Sequence, residues 1–243
     1  PFDPLQRSVM VNHMTNQAKR IELRAIQIVR DGRTILDIPN TDIELGGITA
    51  CIGPNGAGKT TFLKLLHGLI KPNASGSVGY ADSIRSALVL HHTPMIKASV
   101  RCNIGLNGVR KPTEDEIDRV LQEVGLTHLQ HQPAHQLSAG EKQKLSLGRA
   151  HLQKPNVLFL DEPTANLDPT TTAQVEAMIR EFAASGCDVL ISSHQLAQVR
   201  RLADSIVFID GGQIIEKGAC APFFAQPQTE AAQRYMQRER AAD

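Results

Sequence analysis

Gly53-Pro54-Asn55-Gly56-Ala57-Gly58-Lys59-Thr60 is the stretch that decides the fold. It fits the pattern G-x-x-x-x-G-K-[ST] without a mismatch, and that pattern arises by chance in roughly one chain in a hundred of this size. The residues before it, Ile48-Thr49-Ala50-Cys51-Ile52, are short, apolar and β-branched, as a buried parallel strand should be. Those after it, Thr61-Phe62-Leu63-Lys64-Leu65-Leu66-His67, read as a helix. Strand, glycine-rich turn and helix N-terminus together aim backbone N–H groups and the positive end of a helix dipole at an anion. The implied ligand is a nucleoside phosphate cradled by Gly53 to Thr61. Lys59 would reach its β- and γ-phosphates, and the Thr60 hydroxyl would ligate Mg²⁺.

Working outward, 243 residues suffice for one α/β domain, or for one domain carrying an inserted subdomain. Lys+Arg 26 against Asp+Glu 25 leaves a net charge of +1, which gives no electrostatic reason to expect nucleic acid as a partner. No run approaches the 18 or so apolar residues of a membrane span. The opening residues lack a signal peptide's apolar stretch. Cys51, Cys102, Cys187 and Cys220 are far apart, so free thiols in a reducing, cytoplasmic compartment are expected.

Residues 1–20 read as a polar lead-in. Ile21–Ile28 alternates like one half-exposed strand, and a turn at Asp31-Gly32 leads to a second near Thr34–Ile38, forming a hairpin ahead of the phosphate loop. Ser86–Leu90 is a further strand candidate. A helical grammar follows: Thr113-Glu114-Asp115-Glu116 is a capping box, with Ile117, Val120, Leu121 and Val124 at helical spacing and Gly125 as a stop. Residues 138–152 read as another helix. Short apolar strands resume at Val157–Leu160, Val189–Ile191 and Ile206–Ile209. The sum is an α/β fold with a doubly wound core interrupted by an insert of helices. Residues 21–218 form the domain, with core 21–91 and 154–218 and insert about 92–153. Residues 219–243 read as an amphipathic or polar tail.

Val157-Leu158-Phe159-Leu160-Asp161-Glu162 is an apolar strand ending in two carboxylates. Behind a complete phosphate loop, Asp161 is suited to hold Mg²⁺ and Glu162 to orient or deprotonate an attacking water. Between loop and carboxylates lies Leu137-Ser138-Ala139-Gly140-Glu141, opening a helix. This segment resembles the signature of the ATP-binding cassette (ABC) family, usually L-S-G-G-[EQ], with Ala139 in the third place. Ala165-Asn166-Leu167-Asp168 resembles the family's D-loop, and Ile191-Ser192-Ser193-His194 its switch-histidine segment. The resemblance covers about residues 21–218 and implies a phosphate-loop ATPase core with an N-terminal antiparallel β region and a helical subdomain. It further implies two ATP molecules sandwiched in a head-to-tail homodimer, each between the phosphate loop of one copy and Ser138 to Glu141 of the other. His194 would bond the γ-phosphate, and Asp168 would link the two sites.

Two positions depart from the family pattern. Where an aromatic residue usually stacks on adenine, this chain offers Arg30 or Asp31, and Arg30 would present its guanidinium plane to the base. His91 occupies the place of the Q-loop glutamine, which touches Mg²⁺ and the membrane partner; a neutral imidazole retains a hydrogen bond to Mg²⁺-bound water. The loosely spaced His128, His131, His135 and His151 do not make a zinc set, since no Cys lies near and Pro133 breaks the register. The resemblance implies the ATP-hydrolysing subunit of a transporter, on the cytoplasmic face of the membrane. It would dock on integral-membrane permease subunits and work with an extracytoplasmic solute-binding protein. The text Leu88-Val89-Leu90-His91-His92 with Ala98 to Ile104 looks most similar to importers of small oxyanions such as tungstate or phosphate. A soluble ABC ATPase with a non-transport role is the alternative. A kinase is disfavoured by residues 137–141 and 191–194, and a non-catalytic scaffold by Lys59, Asp161, Glu162 and His194.

Overall fold

The computed structural model describes residues 20–73, 75–80, 83–106 and 110–242. The expected lead-in therefore lies outside the described residues except for Arg20. In chain order the first strands are β1 (Arg20–Arg24), β2 (Ile26–Arg30), β3 (Arg33–Ile38), β4 (Thr41–Glu44) and β5 (Ile48–Ile52), followed by helix α1 (Lys59–Leu66), β6 (Ser77–Tyr80) and β7 (Ser86–Val89). Helices α2 (Val100–Ile104), α3 (Glu114–Glu123) and α4 (Ala139–Leu152) come next, with two short 3₁₀ turns between α3 and α4. The chain continues through β8 (Val157–Asp161), α5 (Pro169–Ala184), β9 (Asp188–Ser192), α6 (Leu196–Leu202), β10 (Ser205–Asp210) and β11 (Gln213–Ala219), and then α7 (Cys220–Ala225) and α8 (Glu230–Ala242).

The main sheet runs β11-β10-β5-β9-β8-β7, parallel from β10 to β7 with β11 as an antiparallel edge. Its central strands are buried throughout and their side chains alternate between two cores. Leu158, Leu160, Val189 and Ile191 face a core shared with α5 and α6. Val157, Phe159 and Leu190 face the opposite core, shared with Phe62, Leu63 and Leu66 of α1. A three-stranded antiparallel sheet, β4-β1-β6, covers that second side, and the β2-β3 hairpin stands beside the phosphate loop.

The single strand expected over Ile21–Ile28 is two strands in two sheets. Ala25 takes a left-handed φ of 46° and its N–H donates to Asn40 Oδ1 at 3.2 Å, so the chain turns out of one ladder into the next. The Asp31-Gly32 turn is as expected, with φ of 51° and 73°. The helical insert has a core of its own, built from Val100, Ile104, Val120, Leu121, Leu126 and Leu145. Both capping boxes form, Thr113 with Glu116 and Ser138 with Glu141.

The end of the chain corrects the reading of 219–243 as a tail. Its apolar residues sit at helical spacing and fold back: Phe223, Phe224, Tyr235 and Met236 are buried in the main core. Phe208 of β10 stacks against Tyr235, with ring centroids 5.2 Å apart. Among the described residues, no helix is long and apolar enough to cross a membrane.

Candidate functional site

The carboxyl ends of β5, β9 and β8 lie side by side, and each delivers one part of the site. Register fixes the arrangement, because Ser192 of β9 is paired with Cys51 of β5 on one side and with Asp161 of β8 on the other. Below the loop, the fully buried Cys51 thiol is pushed up to about 12 by desolvation, so it stays protonated and inert.

The phosphate loop turns on glycine. At Gly53, φ is 147° and a Cβ would fall 1.9 Å from the Ile209 carbonyl oxygen, so no other residue fits beside β10. Gly58 is the N-cap of α1 and supplies no side-chain cap, which leaves the first N–H groups of that helix free for an anion. The buried Lys59 ammonium donates to the carbonyls of Gly53 at 2.7 Å and Pro54 at 2.9 Å. Two of its three N–H bonds are thereby fixed, and the third remains for a phosphate oxygen. Among the described residues the Lys59 ammonium has no carboxylate partner, and together with the free N–H groups of α1 it suits a polyphosphate.

Thr60 Oγ1 donates to both oxygens of Asp161, at 2.9 and 3.0 Å, joining loop and carboxylate as expected. This set of hard oxygen donors fits Mg²⁺ rather than a softer metal. Ser192 Oγ donates to Asp161 Oδ1 at 2.7 Å and accepts the Glu162 N–H at 3.0 Å. Glu162 itself is held at a left-handed φ of 47°, a strained conformation for a non-glycine residue. Its Oε2 lies 3.2 Å from His194 Nδ1, so the expected base and switch histidine meet within one chain.

The sequence reading assigned Ser192 no role, although two serines after an apolar strand were a visible signal. It also missed the network beneath His194. There Ser193 Oγ donates to Gln198 Oε1 at 2.9 Å, and Gln198 Nε2 donates to Thr164 Oγ1 at 2.6 Å. Glu176, buried alongside, accepts from Arg201 at 2.7 Å. These bonds lock the loop after β9 to the loop after β8.

The remaining candidates are engaged locally. Ser138 caps α4 through the Glu141 N–H at 3.3 Å, and Glu141 Oε2 accepts the Ser138 N–H and hydroxyl, each at 2.8 Å. Burial alone would raise the Glu141 carboxyl, but those bonds from Ser138, with Lys144 nearby, hold it below its usual range. Gly140 is where α5 crosses, since a Cβ there would meet Thr171 Cγ2 at 2.3 Å. Asp168 caps α5, accepting from the N–H groups of Thr170 and Thr171 at 3.0 Å and from the Thr171 hydroxyl at 2.6 Å. The Thr171 hydroxyl is the main cause of its lowered pKa. The His91 and His92 rings lie tilted against each other, with centroids 4.2 Å apart. Both line a cavity of about 480 Å³ with Ala139, Lys142 and Glu162. His91 thus lies in the same cavity as Glu162. Arg30 is exposed at the turn end of the β2-β3 hairpin, opposite Arg33.

A glycine loop at an uncapped helix, a Thr–Asp pair and a Glu–His pair on adjacent parallel strands define a phosphate-loop ATPase with a helical insert. A family model described as ABC transporter matches residues 36–165. The tungstate uptake system ATP-binding protein TupC of Peptoclostridium acidaminophilum is 38% identical over 197 residues, covering 76% of this chain and 92% of its own length. The lantibiotic transport ATP-binding protein SrtF of Streptococcus pyogenes is 36% identical over 195 residues, covering 75% of this chain and 83% of its own. Among solved structures, the ADP conformation of an ATP-binding cassette of an ABC transporter superposes with a TM-score of 0.74 at 22% identity. It covers 89% of this chain and 98% of its own. The chain belongs to the ABC transporter ATP-binding family and is an ATPase subunit of that class.

Proposed function

We propose that this chain binds and hydrolyses Mg²⁺-ATP to drive an importer of a small solute, with an oxyanion as the favoured cargo. The observation that carries the catalytic part is the junction at Ser192, which ties Asp161 and the Glu162 backbone together beside the phosphate loop. In this reading Lys59 and the N–H groups of α1 hold the β- and γ-phosphates, while Thr60 and Asp161 hold Mg²⁺. When bound there, the cation would supply neutralisation of phosphate charge. Glu162, oriented by His194, accepts a proton from the attacking water. An oxygen–phosphorus bond forms to that water as the bond to the β-phosphate oxygen breaks, leaving ADP and hydrogen phosphate.

The Ser138 end of α4 serves the phosphate loop of a second copy arranged head to tail, with Asp168 at the junction. The helical insert and the loop 91–100 are the docking surface for permease subunits, and a solute-binding protein would deliver cargo from the other side. The oxyanion assignment is supported by the likeness to a tungstate uptake protein over most of both chains.

Glu162→Gln tests the engine: it should abolish turnover while trapping an ATP-bound dimer in gel filtration. A monomer that still hydrolyses ATP would refute it. Purification of the tagged chain from detergent-solubilised membranes of its native host tests the transport role. A multi-span partner supports it, and a purely soluble partner set favours the non-transport ATPase.

A further inference from the structure

The network beneath His194 is polar and buried, and the mechanism above gives it no task. Ser193, Thr164, Gln198 and Glu176 are each at most 4% exposed, and they come from the loops after β9 and β8 and from helices α6 and α5. One amide joins them. Gln198 Oε1 accepts the Ser193 hydroxyl at 2.9 Å, and Gln198 Nε2 donates to Thr164 Oγ1 at 2.6 Å and, more loosely, to Glu176 Oε1 at 3.4 Å. Ser193 immediately precedes His194, and Thr164 follows Glu162 after Pro163. A single side chain thus grips both loops at the point where they meet, His194 Nδ1 to Glu162 Oε2 at 3.2 Å.

The direction of these bonds is set from the far end. A carboxylate can only accept, and Glu176 already takes Arg201 at 2.7 Å, with Arg180 3.7 Å away. It therefore turns the Gln198 amide nitrogen towards itself and Thr164, and the amide oxygen towards Ser193. Ser193 must then give its one proton to Gln198, which leaves its lone pairs for the Gln195 N–H at 3.0 Å. The backbone on both sides of His194 is pinned by one hydroxyl whose orientation Gln198 dictates. Because the network is buried, water does not replace a missing partner.

We propose that Gln198 is a positioning residue for hydrolysis: through Ser193 and Thr164 it fixes the approach of His194 to Glu162, and Glu176 holds its amide in the one orientation that allows this. The inference rests on the reading of Glu162 as base and His194 as the group that orients it. The hydrogen bonds of Gln198 run to Ser193, Thr164 and Glu176, away from the phosphate loop, so its effect falls on the chemical step and not on ATP binding. Misplacing a reacting group by about an ångström slows a reaction by up to about a hundredfold. Ser192 still holds the Glu162 N–H, so a smaller fall is expected here.

The test measures kcat by phosphate release, ATP affinity by equilibrium titration and Tm for Gln198→Leu, Gln198→Glu, the exchange Glu176→Gln/Gln198→Glu, and Thr164→Val. Gln198→Leu should lower kcat about tenfold with ATP affinity within about twofold of wild type. Gln198→Glu sets two carboxylates together and should be at least as slow. The exchange should bring kcat back to within about threefold of wild type, because an amide at position 176 then donates to a carboxylate at 198 that still accepts the Ser193 proton. Thr164→Val keeps its shape, so it decides the matter even where the leucine variant does not fold. It cuts the link on the Glu162 side alone and should lower kcat about threefold. Wild-type kcat in Thr164→Val, kcat and ATP affinity falling together, or an exchange that regains wild-type Tm yet stays as slow as Gln198→Glu would overturn the proposal. His194→Ala is measured alongside. Wild-type kcat in that variant would remove the reading of Glu162 and His194 itself, whereas a slow His194→Ala with a normal Gln198→Leu removes this inference alone.

Discussion

Ser192→Ala is the sharpest probe of the catalytic junction. The side chain is fully buried and makes two hydrogen bonds, one to the Asp161 carboxylate at 2.7 Å and one from the Glu162 N–H at 3.0 Å. The second is partly redundant, because the same N–H also reaches the Ser192 carbonyl at 3.2 Å. The first is charge-assisted and buried, so its loss should cost about 2 kcal/mol of folding stability, with only a small cavity added. For a chain of this size that lowers Tm by about 4–8 °C. Expressed wholly in the transition state, the same energy would slow turnover roughly thirtyfold. Thr60 still holds both Asp161 oxygens, so a fall of about tenfold in kcat is expected, with ATP affinity nearly unchanged because the phosphate loop is untouched. Urea unfolding and steady-state phosphate release at saturating nucleotide read the two effects. Ser192→Cys, which preserves volume but bonds weakly, should resemble the alanine variant. A stability loss with kcat within about twofold of wild type would refute the reasoning and leave Ser192 a purely structural residue.

Gly140→Ala should destabilise by about 1–3 kcal/mol through its clash with Thr171 Cγ2, and adding Thr171→Ser should restore most of that while keeping the hydroxyl on Asp168. Thermal melts of the single and double variants check this, and an unrescued double variant contradicts it. With Arg30 in place of an aromatic base platform, ATP and GTP should bind with comparable affinity; a preference of roughly a hundredfold for ATP, in a competition assay, would sink that expectation. Arg110 first, and then the Thr113 N–H, draw the Glu116 carboxyl down to about 2 from its ordinary value of 4.5. A carboxyl lowered on folding contributes stability at neutral pH that is lost as pH falls through its folded value. The Tm gap between wild type and Glu116→Gln should therefore be full above about pH 5 and shrink towards pH 2. A gap independent of pH would discard the assignment.

Local chemistry made much of this legible. The phosphate loop, the capping boxes at Thr113 and Ser138, the Asp31-Gly32 turn and the apolar strands each follow from neighbouring residues, and each appears where expected. Features set at long range were hidden. The break at Ala25 depends on a hydrogen bond to Asn40, and Ser192 matters because register sets it between β5 and β8. The last residues read as an amphipathic or polar tail because Arg, Gln and Glu dominate them, and the packing of Phe223 and Tyr235 on Phe208 shows where their apolar face goes. His91, placed by analogy, has its ring beside His92 and lines the cavity that Glu162 also lines.

That loop is also where the fold joins nucleotide chemistry to the helical insert. Asn103 is fully buried in α2, and its Nδ2 donates to the carbonyls of Ile96, Ala98 and Ser99 at 3.2, 3.1 and 3.0 Å, while its Oδ1 accepts the Ile96 N–H at 3.1 Å. Arg149 of α4 donates to the Asn103 carbonyl at 2.8 Å and also bonds Asn103 Oδ1. Among the described residues its guanidinium meets only neutral acceptors, and burial lowers its pKa, a cost in solvation. A neutral residue of similar volume would avoid that cost but would release the carbonyls of the loop. The arrangement fixes residues 96–103 to the same helix that begins at Ser138. Residues 96–103, with Ile96 exposed among them, are thereby held by direct hydrogen bonds to the last turn of α4.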